Sequence, residues 1–155
     1  MTGALVDRLD PGALLDGFTA GRDDVGGVVS FTGYVRRDGD VEALELEAYP
    51  ALTEAEIARV AAEVRARHDL IDLLVRHRTG RMAPGEPVVF VAAAAAHRRA
   101  AFEAADQMMD WLKSRAPFWK KEHAADGSRW IEPRSQDYDD AARWDAPAPP
   151  QEPAR

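Results

Sequence analysis

Apolar and polar residues follow two rhythms along this chain, and the changes between them mark its elements. Residues 26–36, GGVVSFTGYVR, are rich in β-branched and aromatic side chains, and residues 41–49, VEALELEAY, alternate with period two, so both read as strands. The intervening Arg37-Asp38-Gly39-Asp40 contains an Asp-Gly pair of the kind that closes tight turns, which predicts a hairpin. After Pro50, Thr53 and Glu56 have the T-x-x-E spacing of a capping box, and Ile57, Val60, Ala61 and Val64 recur at helical intervals to about His68. Residues 70–79 and 87–95 are strand-like again and are joined by 80–86, whose Pro84-Gly85 marks a turn, so a second hairpin is predicted. The alanine run 92–96 suits a helix by propensity but continues the VVFV strand, and the boundary is placed near Ala96. Over residues 97–116, Phe102, Ala105, Met109, Leu112 and Ala116 fall at three- and four-residue steps, which predicts a helix with one buried stripe, stopped by Pro117. Short strands follow at 118–123 and 129–132 around Asp126-Gly127, and upstream Asp10-Pro11 opens a short helix with Leu14, Leu15 and Phe18 as its apolar face.

The order β-β-α-β-β-α-β-β with antiparallel hairpins predicts an α+β fold, one mostly antiparallel sheet with two main helices packed on one face. A chain of 155 residues suits a single domain, assigned to 1–144. The last eleven residues, DAPAPPQEPAR, hold four prolines and no large apolar group, which predicts a disordered tail over 145–155. No apolar run approaches the ~20 residues that span a bilayer, and the N-terminus lacks the pattern of a signal peptide, so a cytoplasmic protein is expected. The absence of cysteine excludes a disulfide framework, a thiolate-ligated metal and a thiolate nucleophile. A net charge of −7 argues against a surface that wraps nucleic acid. Residues 97–121 reverse that balance, with six Lys or Arg against three acids, which suits a concentrated site for a small anion as well as it suits a solvated charged face.

Two places inside that stretch carry candidate chemistry. Cations at a helix start oppose its macrodipole, so His97-Arg98-Arg99 is unfavourable unless the free N–H groups and these side chains share a bound phosphate; exposed arginines at a poor cap are the plain alternative. At the other end, Lys113 is favourable to the dipole on structural grounds alone. Lys120 follows Pro117-Phe118-Trp119, an aromatic wall that can desolvate an ammonium and lower its pKa, so two lysines around a proline bend can share one pocket; the alternative is a Lys120 that snorkels outward. His68, His77 and His123 have neither metal-ligand spacing nor an obvious carboxylate partner, and no metal site is predicted. The phosphate-binding glycine fingerprints and the nucleophile elbow are absent.

Several stretches together carry a likeness to a known family. They are Val29-Ser-Phe-Thr-Gly-Tyr-Val-Arg36, Leu46-Glu-Ala-Tyr-Pro50, His77-Arg-Thr-Gly80 with Pro84-Gly85, Ala96-His-Arg98, Met109-Asp-Trp-Leu-Lys-Ser-Arg-Ala-Pro-Phe-Trp-Lys120 and Arg129-Trp-Ile-Glu132. Over about 26–144 the chain resembles the MoaE family, the large catalytic subunits of molybdopterin synthase. The resemblance implies an α/β hammerhead fold and a transferase that converts cyclic pyranopterin monophosphate to the dithiolene molybdopterin, with no cofactor of its own. Sulfur would come from the C-terminal thiocarboxylate of a small ubiquitin-like partner, a MoaD-like subunit, whose Gly-Gly tail threads into the pocket. Two large subunits would form a homodimer within a heterotetramer, with no nucleic acid or membrane as partner.

Carried over residue by residue, the resemblance makes Lys113 and Lys120 the catalytic candidates, with Lys113 the leading acid-base or covalent group and Lys120 its electrostatic partner. Arg36, His97 and Arg98 would bind the pterin phosphate, Tyr34 and Val35 belong to the same substrate-binding stretch, and Lys121 and Glu122 adjoin the pocket. Arg134 matches an arginine that reaches toward the neighbouring subunit's site. The turn at 37–40 is shorter than the loop many members carry, and Arg99 stands where smaller polar residues are common. A reading from another class is a non-catalytic α+β dimer that binds a phosphorylated small molecule or a ubiquitin-like tail through the same residues.

Overall fold

The structure, a computed structural model, describes residues 3–147. The elements run β1 (Leu5–Val6), α1 (Pro11–Thr19), β2 (Gly27–Tyr34), β3 (Val41–Ala48), α2 (Pro50–His68), β4 (Asp72–Arg78), β5 (Gly80–Met82), β6 (Pro87–Ala95), α3 (Arg98–Ser114), β7 (Phe118–Ala124), β8 (Gly127–Ile131) and α4 (Ser135–Ala142), followed by a 3-10 turn, Arg143–Asp145. The α+β class holds, and every strand pairing is antiparallel except that of β1 with β4.

The expected single sheet is instead two four-stranded sheets, ordered β1-β4-β6-β2 and β5-β3-β7-β8. Nor do all the helices share one face. β6 is the reason, because its run of small apolar residues is buried on both sides. Val89, Val91, Ala93 and Ala95 face the main core with α2 and α3, while Phe90, Ala92 and Ala94 pack against Phe18, Leu14 and Leu15 of α1. A strand alternates faces with period two, so a continuous apolar run needs cover on both. The alanines leave room for helices to approach closely.

The hairpin predicted between 70–79 and 87–95 is present, with β4 and β6 paired from Asp72↔Ala94 to His77↔Val89. The first predicted hairpin is not. β2 pairs only with β6, and β3 pairs with β5 and β7 in the other sheet. The strand ends at Tyr34 rather than Arg36, and the turn at Gly39 (φ 56°) closes only a short loop, Val41 N–H donating to Asp38 O at 3.1 Å. A connection over 35–40 is long enough to carry the chain from one sheet to the other. The register shifts between Gly33 and Tyr34, the ladder closes on Tyr34↔Pro87, and Val35 is then pinned by hydrogen bonds to Glu86 O and from Gly85 N.

The capping box is also corrected. α2 starts at Pro50, whose fixed φ and missing donor suit a first helical position, so Thr53 lies within the helix. Thr53 is fully buried, and its hydroxyl donates to Pro117 O at 3.0 Å, which ties α2 to the bend after α3. In α3 the buried stripe is Ala101, Ala104, Ala105, Met108 and Leu112, while Phe102 is 60% exposed and Met109 only half-buried. Ala105 and Leu112 of the expected stripe are buried, whereas Phe102 and Met109 give way to their neighbours Ala101 and Met108, small or flexible residues that let α3 approach β6.

The sequence reading missed α4. Few apolar residues mark it, and the 3-10 turn that follows it is tied to α3: Arg143 pairs with Asp106 and Asp110 (2.7 Å each), and Trp144 Nε1 donates to Asp110 at 2.6 Å. Arg115 grips Asp145 through two hydrogen bonds at 2.8 and 2.9 Å. Asp145 therefore closes the 3-10 turn, and the rest of the proline-rich tail from 148 lies outside the described residues. Among those residues, no helix is long and apolar enough to cross a membrane.

Candidate active site

The two sheets, the C-terminal end of α3 and the start of α4 enclose a cavity of about 580 Å³. Lys113 enters it from the last turn of α3, and Lys120 enters from β7 on the other side of the Pro117 bend. Arg115 N–H and Ala116 N–H both donate to Trp111 O, the second across five residues, so the helix widens and stops just past Lys113. Val35, buried against the 85–86 turn, and the adjoining Tyr34 and Arg36 line one wall; Glu122, Glu132, Arg134 and Asp137 line another.

Burial disfavours the charged form of both lysines. Lys113 is exposed, yet the protein around it lowers its pKa, with Asp137 opposing that shift and Arg134 adding to it. Lys120 is brought down to about 8, first by burial and then by the like charge of Lys113, again against Asp137. Two ammonium groups held in one partly enclosed cavity are a costly arrangement for stability and an ordinary one for an active site.

Of the residues assigned from sequence, Tyr34, Val35, Arg36, Lys113, Lys120, Glu122 and Arg134 meet at this cavity. Lys121 points to the opposite face of β7, where its Nζ lies 5.0 Å over the Trp130 ring. His97 and Arg98 do not reach the cavity of their own chain. They are exposed at the N-terminus of α3, fifteen residues from Lys113, or roughly 22 Å at 1.5 Å per residue. That terminus has no side-chain cap and no acid in its first turn. Arg99 is a solvated side chain 3.9 Å from Glu103, and Arg115 is committed to Asp145. The basic stretch 97–121 therefore divides between two ends of one helix.

Among the cavity residues that sequence reasoning missed, two bear directly on the lysines. Asp137 belongs to α4; its carboxylate accepts the Arg134 backbone N–H at 2.9 Å, which sets the helix start at the cavity wall, and lies 3.6 Å from the exposed Arg134 guanidinium. His77 is 5% exposed and stacked on Phe118 with centroids 4.2 Å apart. Burial, with further help from Lys120 and Lys113, holds its pKa down to about 4. A lone histidine on a strand gave no signal of this. His68 and His123 acquire partners that their neighbours in sequence did not suggest: His68 bonds Gln107 (2.7 Å) beside Glu103, and His123 lies between Glu45 (2.9 Å) and Ser128 (2.7 Å). No cluster of three His, Asp or Glu suited to a metal occurs among the described residues.

Comparison with known proteins identifies the family and the fold of the chain. Residues 6–115 match the family described as MoaE protein. The molybdopterin synthase catalytic subunit of Caulobacter vibrioides is 55% identical over 140 residues, 90% of this chain and 93% of that protein. That of Pseudomonas aeruginosa is 50% identical over 88% of this chain and 93% of its own length. Among solved structures, the molybdopterin biosynthesis MoaE protein of Burkholderia ambifaria superposes with a TM-score of 0.78 at 41% identity, covering 92% of this chain and 95% of that one. Molybdopterin synthase from Staphylococcus aureus does so at 0.77 and 30% identity, covering 84% and 98%.

Proposed function

The chain belongs to the MoaE family of molybdopterin synthase catalytic subunits, and on that premise we propose that the cavity is where sulfur passes from a partner's thiocarboxylate to cyclic pyranopterin monophosphate in the cytoplasm. The observation that carries this reading is the convergence of Lys113 and Lys120 in one partly enclosed cavity of a chain without cysteine. A cyclic phosphate must open and a sulfur anion must attack the pterin side chain, so the site needs fixed positive charge and a proton carrier at the developing oxyanion. Lys113 is assigned the acid-base or covalent step and Lys120 the electrostatic one. Arg36 and Arg134 flank them, and Lys121 adjoins from the far side of β7. The sulfur donor is a small ubiquitin-like, MoaD-like subunit that enters as an extended Gly-Gly tail.

Within one chain, the cavity's four cations (Arg36, Lys113, Lys120, Arg134) face four acids (Asp38, Glu122, Glu132, Asp137). A phosphate gains little from so balanced a wall. The uncapped start of α3, with His97 and Arg98, supplies the missing charge when a second copy brings it to the cavity, which gives the homodimer a catalytic purpose. Arg98→Ala then weakens precursor binding by roughly 1.5–3 kcal/mol, about ten- to a hundredfold by calorimetry. Mixing Arg98→Ala with Lys113→Ala subunits is the decisive arm. Each mixed dimer has one intact site if Arg98 acts across the interface, so activity returns to about a quarter of wild type. No recovery would place Arg98 outside the partner's site.

A further inference from the structure

Three polar ends open into the cavity with no partner among the described residues. Two are donors, the Lys113 and Lys120 ammonium groups, which make no hydrogen bond or ion pair. The third is an acceptor. His77 Nδ1 lies 2.9 Å from Arg78 O, and since a carbonyl only accepts, the ring proton sits on Nδ1 and Nε2 carries a lone pair. Arg78 Nε is the one fully enclosed side-chain polar atom without a partner among the described residues. His77 Nε2 also lacks a partner and is absent from that enclosed class, so it touches accessible space, and the cavity is the space His77 lines. The stack on Phe118 fixes the ring plane, and Phe118 and Lys120 are two residues apart on one face of β7. Burial and the two nearby lysines keep the ring neutral, so Nε2 stays an acceptor throughout the neutral range.

A ligand that satisfies all three groups must present an anion to the lysines and an N–H donor close beside it. We propose that His77 recognises the incoming partner's tail, Nε2 accepting the amide N–H of the terminal glycine while that residue's thiocarboxylate lies between Lys113 and Lys120. The assignment rests on the functional reading above. In a terminal glycine the amide nitrogen and the thiocarboxyl carbon share one Cα, so donor and anion are a fixed short distance apart. With no side chain, the residue can approach a ring packed between two sheets. A pterin ring also carries N–H donors, so the test separates the two sources.

The test is calorimetry with the full-length ubiquitin-like partner ending in glycine carboxylate, a stable stand-in for the thiocarboxylate, against the same partner ending in N-methylglycine. Wild type should bind the N-methyl partner about tenfold more weakly, a difference typical of one lost hydrogen bond in a dry site. His77→Phe, which keeps the aromatic packing, should bind the glycine partner about tenfold more weakly than wild type and tell the two tails apart by less than twofold. His77→Gln, whose side-chain oxygen can accept, should recover part of the discrimination and stands in if the phenylalanine variant does not fold. Equal discrimination by wild type and His77→Phe, or none by wild type, would overturn the assignment alone. So would a His77→Phe variant that binds precursor weakly and the partner normally, which would give the acceptor to the pterin. A wild-type protein that forms no complex with the partner at all would overturn the functional reading and this assignment with it.

Discussion

Alanine at Lys113 is expected to lower dithiolene formation by at least about a hundredfold, the contribution typical of a positioned acid-base group, while the melting temperature and the dimer remain as in wild type. A lysine in the last turn of α3 gives the helix dipole only ~0.3–1 kcal/mol. That end of the helix is held by other means: Thr53 donates to Pro117 O, Arg115 grips Asp145, and Leu112 is buried. Because burial disfavours the Lys113 ammonium, its removal relieves a cost rather than opening a core. A product assay beside a thermal melt reads both effects. Activity within tenfold of wild type would remove Lys113 from the chemistry, and loss of folding would make its role structural.

The second large effect concerns pH. Lys120, brought to about 8 by burial and by Lys113, is required here in its charged form, so turnover should fall as pH rises through about 8. The charged or titratable groups that line the cavity with it are Lys113 from α3, Arg134 and Asp137 at the start of α4, His77 from β4, Glu122 from β7, Glu132 after β8, and Tyr34, Arg36 and Asp38 at and after the end of β2. Among these, Asp137 supports the Lys120 charge and Lys113 opposes it. The two lysines interact, so the midpoint belongs to the pair. Lys120→Arg keeps its charge at every accessible pH and should move the loss upward by two units or more, roughly to where guanidinium still holds its proton. Lys120→Ala should be slow at all pH. Turnover that instead rises through pH 8 would make the Lys120 amine a base and exchange the two lysines' roles.

Local patterns were legible where one face or one turn decided the outcome. The amphipathic core of α2, the β4/β6 hairpin, the strand end at Ala95 and the Asp10 cap of α1 all rest on neighbours in sequence. Partner choice was not legible. The Asp-Gly turn after β2 is real, yet a few residues more of loop send β3 to another sheet. The continuous apolar run of β6 was visible, but its consequence, cover on both faces and hence a second layer, depends on where α1 docks. α4 stayed hidden because it is short and buries only Ala141, while the ion pairs that anchor the chain there come from Arg143 in the turn after it.

The candidate site divides in the same way. Lys113 and Lys120 were found because a proline bend and an aromatic wall lie between them in the chain. Asp137 and His77 join the cavity from elements remote in sequence, and neither residue is marked by its neighbours. The separation of His97 and Arg98 from Lys113 follows from simple helix length, and it turns one basic stretch into two half-sites.

The central claim, sulfur transfer in this cavity, is tested most directly by incubating the protein with the thiocarboxylated ubiquitin-like partner and cyclic pyranopterin monophosphate, then quantifying dithiolene product and spent partner by mass spectrometry. The predicted result is one dithiolene for every two thiocarboxylates consumed, with none formed when the partner lacks its two terminal glycines. Tight binding of both partner and precursor with no product, or equal turnover with free sulfide in place of the partner, would contradict it.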